Sequence, residues 1–286
     1  MPAALVVGHG RVGAILAGLL AAAGWQVTGI RRHPDGRHVP GVTVHAGDVT
    51  RPSRWPAIPD HLDAVFYLVG GGHGGEAAHR AAYVDGLVAT LDELVRRSVG
   101  LGRLLLASST AVYGQRDGSW VDEGSPTDPP DVRGAILLEA EGVARGGPAP
   151  AVSVRLGGIY GPTPGRLVEQ VRRGQATVGT ASAEHTNRIH VADAARALAH
   201  LASGTGPAPC YLAVDDRPAP RAEVLRWLAT TLGAPPPPVD PGRPPPRSDK
   251  RCANARLRAS GFRVAYPSFA EGYRAVLGLS GTAPGG

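Results

Sequence analysis

The chain has 286 residues, enough for one large α/β domain or a domain with a smaller appendage. Hydrophobic residues make up 43%, so a sizeable core can be buried, but no apolar run approaches the roughly 18 to 20 residues that cross a bilayer. The net charge of +6 attracts anions in general, while the 5% aromatic content and the lack of a Lys/Arg stripe argue against a nucleic-acid surface. Of 30 basic residues only Lys250 is a lysine. With abundant Ala, Gly and Pro, that Arg excess reads as the codon bias of a GC-rich genome. The N-terminus, MPAALVVGHG, has no basic stretch ahead of its apolar run, so no secretory signal and a cytoplasmic location are expected. Cys210 and Cys252 lie far apart and read as free thiols in a reducing compartment.

In chain order, residues 3–7 (AALVV) predict a buried parallel strand ending at Gly8. Residues 11–23 follow as a helix with Val12, Leu16, Leu19, Leu20 and Ala23 on one stripe, closed by Gly24. Strands are predicted at 26–31, 42–45, 63–69, 103–107 and 151–155, with helices at 76–98 and 135–144. Strands alternating with helices imply a Rossmann-type, doubly wound parallel sheet. Beyond residue 160 the pattern changes. Helices are predicted at 166–173, 191–203, 219–232 and 268–277, and short strands at 176–178 and 210–213. Eight prolines among residues 235–246 predict a stiff surface connector. The expected division is a dinucleotide-binding core over 1–160, with 187–215 returning to it. A smaller substrate-binding part spans 161–186 and 216–278, and 279–286 is a disordered tail.

Gly8-His9-Gly10-Arg11-Val12-Gly13 is a G-x-G-x-x-G. The first glycine allows a tight turn, the second lets backbone approach a pyrophosphate, and the third lets helix pack on strand. The helix N-terminus then offers N–H groups to the phosphates. With 40 glycines in the chain one such match is expected by chance, and another does occur at Gly70, Gly72 and Gly75. The first match is set apart by its place between a strand and an amphipathic helix. About 20 residues on, where an acid would bind the ribose 2′-hydroxyl of NAD, the chain reads Ile30-Arg31-Arg32. Arginine there pairs with a 2′-phosphate through charge-assisted bonds of roughly 1.5–3 kcal/mol, which favours NADP(H) over NAD(H). The alternative is that both arginines are solvated. Val69 and Gly70, closing the fourth strand, either line the cofactor or open a flexible loop.

The segments Leu106 to Gly114 (LASSTAVYG), Arg155 to Pro162 (RLGGIYGP) and Arg188 to Ala197 (RIHVADAARA) resemble the extended short-chain dehydrogenase/reductases, the NAD-dependent epimerase/dehydratase family. Asp48-Val49 fits that family's adenine-contacting site, and Lys250 to Asn254 with Tyr266-Pro267 resembles its atypical YeeZ-like branch. The resemblance implies that Ser109 hydrogen-bonds the reacting oxygen of a small polar substrate. A homodimer also fits it. It further implies a Y-x-x-x-K pair, and here the chain departs: Arg133 stands at the tyrosine position, Leu137 at the lysine position, and no Y-x-x-x-K occurs anywhere. Tyr113 and Tyr83 are candidate proton donors, each also readable as aromatic packing. Arg133 could hold an anion or simply be solvated. His190 reads as a packed histidine and Asp193 as a helix cap. Asp122-Glu123 and Asp215-Asp216 make poor acid/base and metal sites. The expectation is an NAD(P)-binding oxidoreductase with no resident metal, with a non-redox cyclase, lyase or isomerase, or a cofactor sensor, as alternatives.

Overall fold

In a computed structural model, described for residues 1–34, 39–72, 74–180, 184–204 and 208–279, the apolar segments of the sequence become one central sheet. Its strands are β1 (Ala3–Val7), β2 (Gln26–Arg31), β3 (Val42–Ala46), β4 (Ala64–Tyr67), β5 (Leu104–Ser109), β6 (Ala151–Leu156) and β7 (Cys210–Ala213). They lie in the order β7-β6-β5-β4-β1-β2-β3. β1 runs parallel between two neighbours, Val7 standing beside Ile30 of β2 and Tyr67 of β4. β2 pairs in parallel with β3, and β4 with β5. Every residue of β1 and β4 is buried, as expected of strands covered on both faces. The sheet is that of a Rossmann-type α/β fold, and the strand order reverses between β1 and β4.

The helices follow the apolar stripes. α1 (Arg11–Ala22) buries Gly13, Leu16, Ala17 and Leu20, the spacing of one helical face. The helix expected at 76–98 forms in three pieces: α2 (Gly75–Arg80), a π turn over Ala81–Asp85, and α3 (Gly86–Arg96). Its apolar spacing, read at 3.6 residues per turn, gives no sign of the π turn. α4 (Val132–Arg145) starts three residues earlier than expected because Asp131 caps it, accepting the Gly134 N–H at 3.0 Å.

α4 also carries a buried charge towards the sheet. Glu141 is 2% exposed. Arg155 of β6 grips its two oxygens at 3.0 and 2.7 Å, and the Ser108 hydroxyl of β5 donates to it at 2.6 Å. Two strands and a helix thus meet at one carboxylate.

The chain divides into two compact units: residues 1–112, 131–155 and 195–211, and residues 113–130, 156–194 and 212–286. The sequence-based boundary differs chiefly at 113–130, which belongs with the second unit. The reason is a pairing that local periodicity does not register: Ser119–Val121 lies parallel to Lys250–Cys252. In the second unit α5 (Arg166–Arg172), α7 (Arg221–Leu232) and α9 (Phe269–Val276) share a core that includes Val168, Val171, Leu225, Leu228 and Phe269. α6 (Val191–Ser203) spans the division, and α8 (Ala255–Ala259) follows the Lys250–Cys252 strand.

No strand forms at 176–178. Val178 instead makes a single bridge to Val239, its N–H donating to the Pro238 carbonyl at 3.0 Å and its carbonyl accepting the Asp240 N–H at 2.8 Å. The proline-rich connector is therefore pinned at its middle. The expected tail, apart from Leu279, lies outside the described residues. No described helix is long and apolar enough to cross a membrane.

Breaking the buried ion pair from one side strands a charge. Glu141→Gln is expected to destabilise the protein by about 3–5 kcal/mol in urea unfolding. Replacing both partners by apolar residues, Glu141→Leu with Arg155→Met, should recover most of that loss.

Candidate dinucleotide site

The site begins where β1 ends. The chain turns at Gly8 with φ +95°, a region side-chain-bearing residues rarely adopt. A Cβ on Gly8 would stand 2.7 Å from the Leu68 carbonyl carbon and 2.8 Å from the Val69 nitrogen. One on Gly13 would stand 2.6 Å from the Gly8 oxygen. Beside Gly10 the nearest atom is the Gly8 oxygen at 4.0 Å, so that position is open. The turn is fixed by the Gly8 and His9 N–H groups, which both donate to the Ile30 carbonyl, at 3.0 and 3.1 Å. Among the described residues no side chain caps α1 at its Gly10 N-cap. A helix N-terminus without a side-chain cap is suited to an anion.

A cavity of about 440 Å³ opens in front of this loop, at the carboxyl ends of β1, β2 and β4. That is the switch point where an open α/β sheet binds ligands. Of the residues expected from the sequence, Gly8, His9 and Gly10 line it from the loop, and Arg31 and Arg32 from the end of β2. Asp48 and Val49 line it after β3, and Val69 and Gly70 after β4. Arg11, Val12 and Gly13 do not line it; they form the first turn of α1, where Gly13 is the packing glycine. The Thr50 N–H and hydroxyl both donate to Asp48 Oδ1 at 2.9 Å. That backbone bond, helped by the Thr50 hydroxyl and the nearby Arg32 and Arg51 charges against a partial burial cost, holds the Asp48 carboxyl below the usual range. Asp48 is thus ionised at neutral pH.

Sequence reasoning missed several lining residues. His33 lines it after the two arginines, and Ala78, Ala81 and Ala82 present a small-residue wall from the helix after β4. Gly47 also lines the cavity, and a Cβ there would stand 2.8 Å from both Ile30 and Trp55. A run of alanines on a helix could have signalled a wall facing a ligand. Gly47 has no such local sign, because its partners are distant in sequence.

The remaining candidates are placed as follows. Ser109 is half-buried at the end of β5, its Oγ accepting the Ala111 N–H at 3.2 Å. Arg133 is exposed at the start of α4 and Leu137 is buried. In the second unit Tyr113 is fully buried and its hydroxyl donates to the Asp122 carbonyl at 2.8 Å. Tyr113 is therefore a packed aromatic, and this burial speaks against its expected catalytic role. Lys250 is buried with its Nζ donating to the Tyr113 carbonyl and the Ser248 hydroxyl, both at 2.8 Å. His190 packs between Tyr160 and Tyr266, and burial lowers its pKa. Asp193 is buried and accepts the Ala265 and Tyr266 N–H groups, each at 2.9 Å. It thus ties a distant loop as well as opening α6. Glu123 accepts the Leu212 N–H at 2.7 Å, and Asp122 organises its own turn through Gly124 and Ser125. Cys252 is buried, which pushes its thiol up to about 12, and Cys210 is half-buried.

Fold and site together define a dinucleotide-binding protein of the short-chain dehydrogenase/reductase type. The model of the NAD dependent epimerase/dehydratase family matches residues 4–208, and the chain belongs to that family. It is similar to the 3-diazoavenalumate denitrifying reductase of a Streptomyces species, 30% identical over 62% of this chain and 65% of that protein. It is also similar to protein YeeZ of Escherichia coli K12, 31% identical over 57% of this chain and 61% of that protein. The match thus spans less than two thirds of either relative. Among solved structures, a Methylobacillus flagellatus protein assigned to the NAD-dependent epimerases/dehydratases is 33% identical, with a TM-score of 0.78 over 97% of this chain and 98% of that one.

Gly8→Ala is expected to abolish dinucleotide binding and lower the melting temperature, since both the backbone angle and the Leu68 contact oppose a methyl group; calorimetry and thermal unfolding read the two effects.

Asp215 lies in the second unit. It is 2% exposed, and neither carboxyl oxygen makes a well-formed hydrogen bond among the described residues. Burial raises its pKa to about 8, with the Arg188 charge and the Arg217 N–H only partly opposing. The folded state then holds a proton that the unfolded state loses near pH 4, so Asp215 lowers stability progressively as pH rises from about 4 to 8. Asp215→Asn should raise the melting temperature at pH 8, with a gain that shrinks towards pH 4.

Proposed function

We propose that the chain is an NADP(H)-dependent reductase of a small polar molecule that works without the Tyr/Lys pair usual in its family. The observation that carries this reading is the cavity at the β1–β4 switch point, with Arg31, Arg32 and His33 at its β2 end. The residues fit the cofactor: the gap beside Gly10 admits a pyrophosphate, and no Cβ could occupy Gly8 or Gly13 without striking backbone. Gly8, Gly10 and the α1 N-terminus would hold the pyrophosphate, Arg31 and Arg32 a 2′-phosphate, and Asp48 with Val49 the adenine side. When bound, the nicotinamide supplies a hydride donor or acceptor. Ser109 would orient the substrate oxygen. The name of the Streptomyces relative, a reductase, supports the reductive direction. The cavity and family also support a small-molecule substrate over a nucleic acid.

Calorimetric titration with NADPH, NADP⁺, NADH and NAD⁺ tests the reading. The phosphorylated pair should bind more tightly, and Arg31→Asp should weaken that pair by about 10- to 150-fold, the equivalent of roughly 1.5–3 kcal/mol, while leaving the other pair within a few-fold. Equal binding of all four would remove the NADP preference. Tight binding with no NADPH oxidation across a panel of aldehydes, ketones and imines would shift the reading to non-redox chemistry.

A further inference from the structure

The cationic and acidic sides of the cavity are joined through backbone. Arg31 and Arg32 line it from the end of β2, and Gly47 and Asp48 line it after β3. The Gly47 N–H donates to the Arg31 carbonyl at 2.9 Å. Gly47 is also gripped from two sides, since a Cβ there would stand 2.8 Å from the Ile30 side chain and 2.8 Å from the Trp55 ring. Trp55 does not line the cavity, and it is 4% exposed. Its indole N–H donates to the Asp48 carbonyl at 3.0 Å. One buried side chain thus presses on Gly47 and holds Asp48 from behind.

Trp55 is held in turn. It closes a short helical turn over Pro52–Arg54, its own N–H donating to the Pro52 carbonyl at 2.9 Å. Arg97, just past α3, donates to the carbonyls of Pro56 at 2.8 Å and Trp55 at 3.0 Å, and its Nε donates to Glu93 at 2.6 Å. Glu93 is 6% exposed and also pairs with Arg96. This anchoring matters because of what Asp48 would otherwise do. Asp48 is exposed, ionised at neutral pH, and within the fields of Arg32 and Arg51. The Thr50 N–H and hydroxyl occupy its Oδ1, but those bonds are local and move with the turn. The indole ties the turn to the body of the unit. A carboxylate released from that tie would pair with Arg32 through a charge-assisted bond and compete with a ligand phosphate for it.

We propose that Trp55 is a positioning residue that sets the dinucleotide preference of the site, by holding Asp48 at Thr50 and away from the arginines that would take a 2′-phosphate. The proposal rests on the NADP(H) reading above and deepens it. Arg31 and Arg32 supply the positive charge, and Trp55 keeps that charge available to the ligand. The part of the ligand whose binding depends on the indole is therefore the 2′-phosphate, which NAD(H) lacks. Phenylalanine would fill much of the same space without the N–H that holds the Asp48 carbonyl.

The test is Trp55→Phe, read by calorimetry with NADP⁺ and NAD⁺, with near-ultraviolet circular dichroism to show that the variant is folded. NADP⁺ should weaken by about tenfold and NAD⁺ by less than about threefold, so that the preference shrinks. Adding Asp48→Asn to Trp55→Phe should restore the ratio of the two affinities, because a neutral amide does not neutralise Arg32, while any lost adenine contact falls on both dinucleotides alike. Arg97→Gln keeps the indole but frees the loop that carries it. It should shift the ratio in the same direction, and it carries the test if Trp55→Phe does not fold. Equal weakening of the two dinucleotides, an unchanged ratio in a folded variant, or no rescue by Asp48→Asn overturns the role of Trp55 and leaves the NADP(H) reading standing. A wild type that binds both dinucleotides equally, or neither, overturns that reading and the tryptophan proposal with it.

Discussion

The site depends on the close approach of two backbones. At the end of β1 the chain turns so close to the end of β4 that a Cβ on Gly8 would stand 2.7 Å from the Leu68 carbonyl carbon, and it does so at a positive φ. Only glycine meets both conditions. Because β1 and β4 are neighbours in the sheet, this contact fixes the loop relative to the strand end that carries Val69 and Gly70. It also sets where α1 begins, at Arg11. The cavity, its cationic β2 end and its alanine wall follow from that one placement.

A second constraint holds the other side of the first unit. Glu141 joins α4 to β5 and β6 through Ser108 and Arg155. Ser109, the residue expected to meet the substrate oxygen, directly follows Ser108. A buried ion pair of this kind contributes little net stability compared with apolar packing. What it does fix is geometry, since the carboxylate has two directional partners on two strands.

Much of the first unit was legible because its signals are local. A continuous apolar run ending in glycine marks a covered strand, and the stripe of Leu16 and Leu20 marks the helix behind it. The loop residues that line the cavity were legible for the same reason. The second unit was read less well. Its pairing of Ser119–Val121 with Lys250–Cys252 joins short segments some 130 residues apart, and three-residue strands carry almost no periodic signal. Gly47 was missed because Trp55 and Ile30, which exclude a side chain there, come together only in the fold. The π turn was missed because one inserted residue shifts the phase of a stripe without erasing it. Tyr113 misled because a tyrosine beside the serine segment gives no sign, in sequence, of whether its hydroxyl faces a cleft or a carbonyl.

The missing Tyr/Lys pair could be dismissed as part of the chain's general replacement of lysine by arginine. The structure argues otherwise. Lys250 has a setting suited to its shape: its compact ammonium donates to a carbonyl and a hydroxyl where it is buried, and a planar fork of five N–H groups would need more acceptors and more room there. Position 137, by contrast, holds leucine, and that leucine is 1% exposed. Compositional drift from lysine would have left an arginine, a cation still able to reach solvent. A buried apolar side chain instead removes both the charge and the space for it. Position 133, where the family resemblance would put a phenol, holds a solvent-facing arginine. Neither residue can serve as the tyrosine or lysine that the resemblance implies, while the glycine loop lines a cavity. The glycine loop and the cavity in front of it are thus present in a chain whose α4 carries neither a tyrosine nor a lysine.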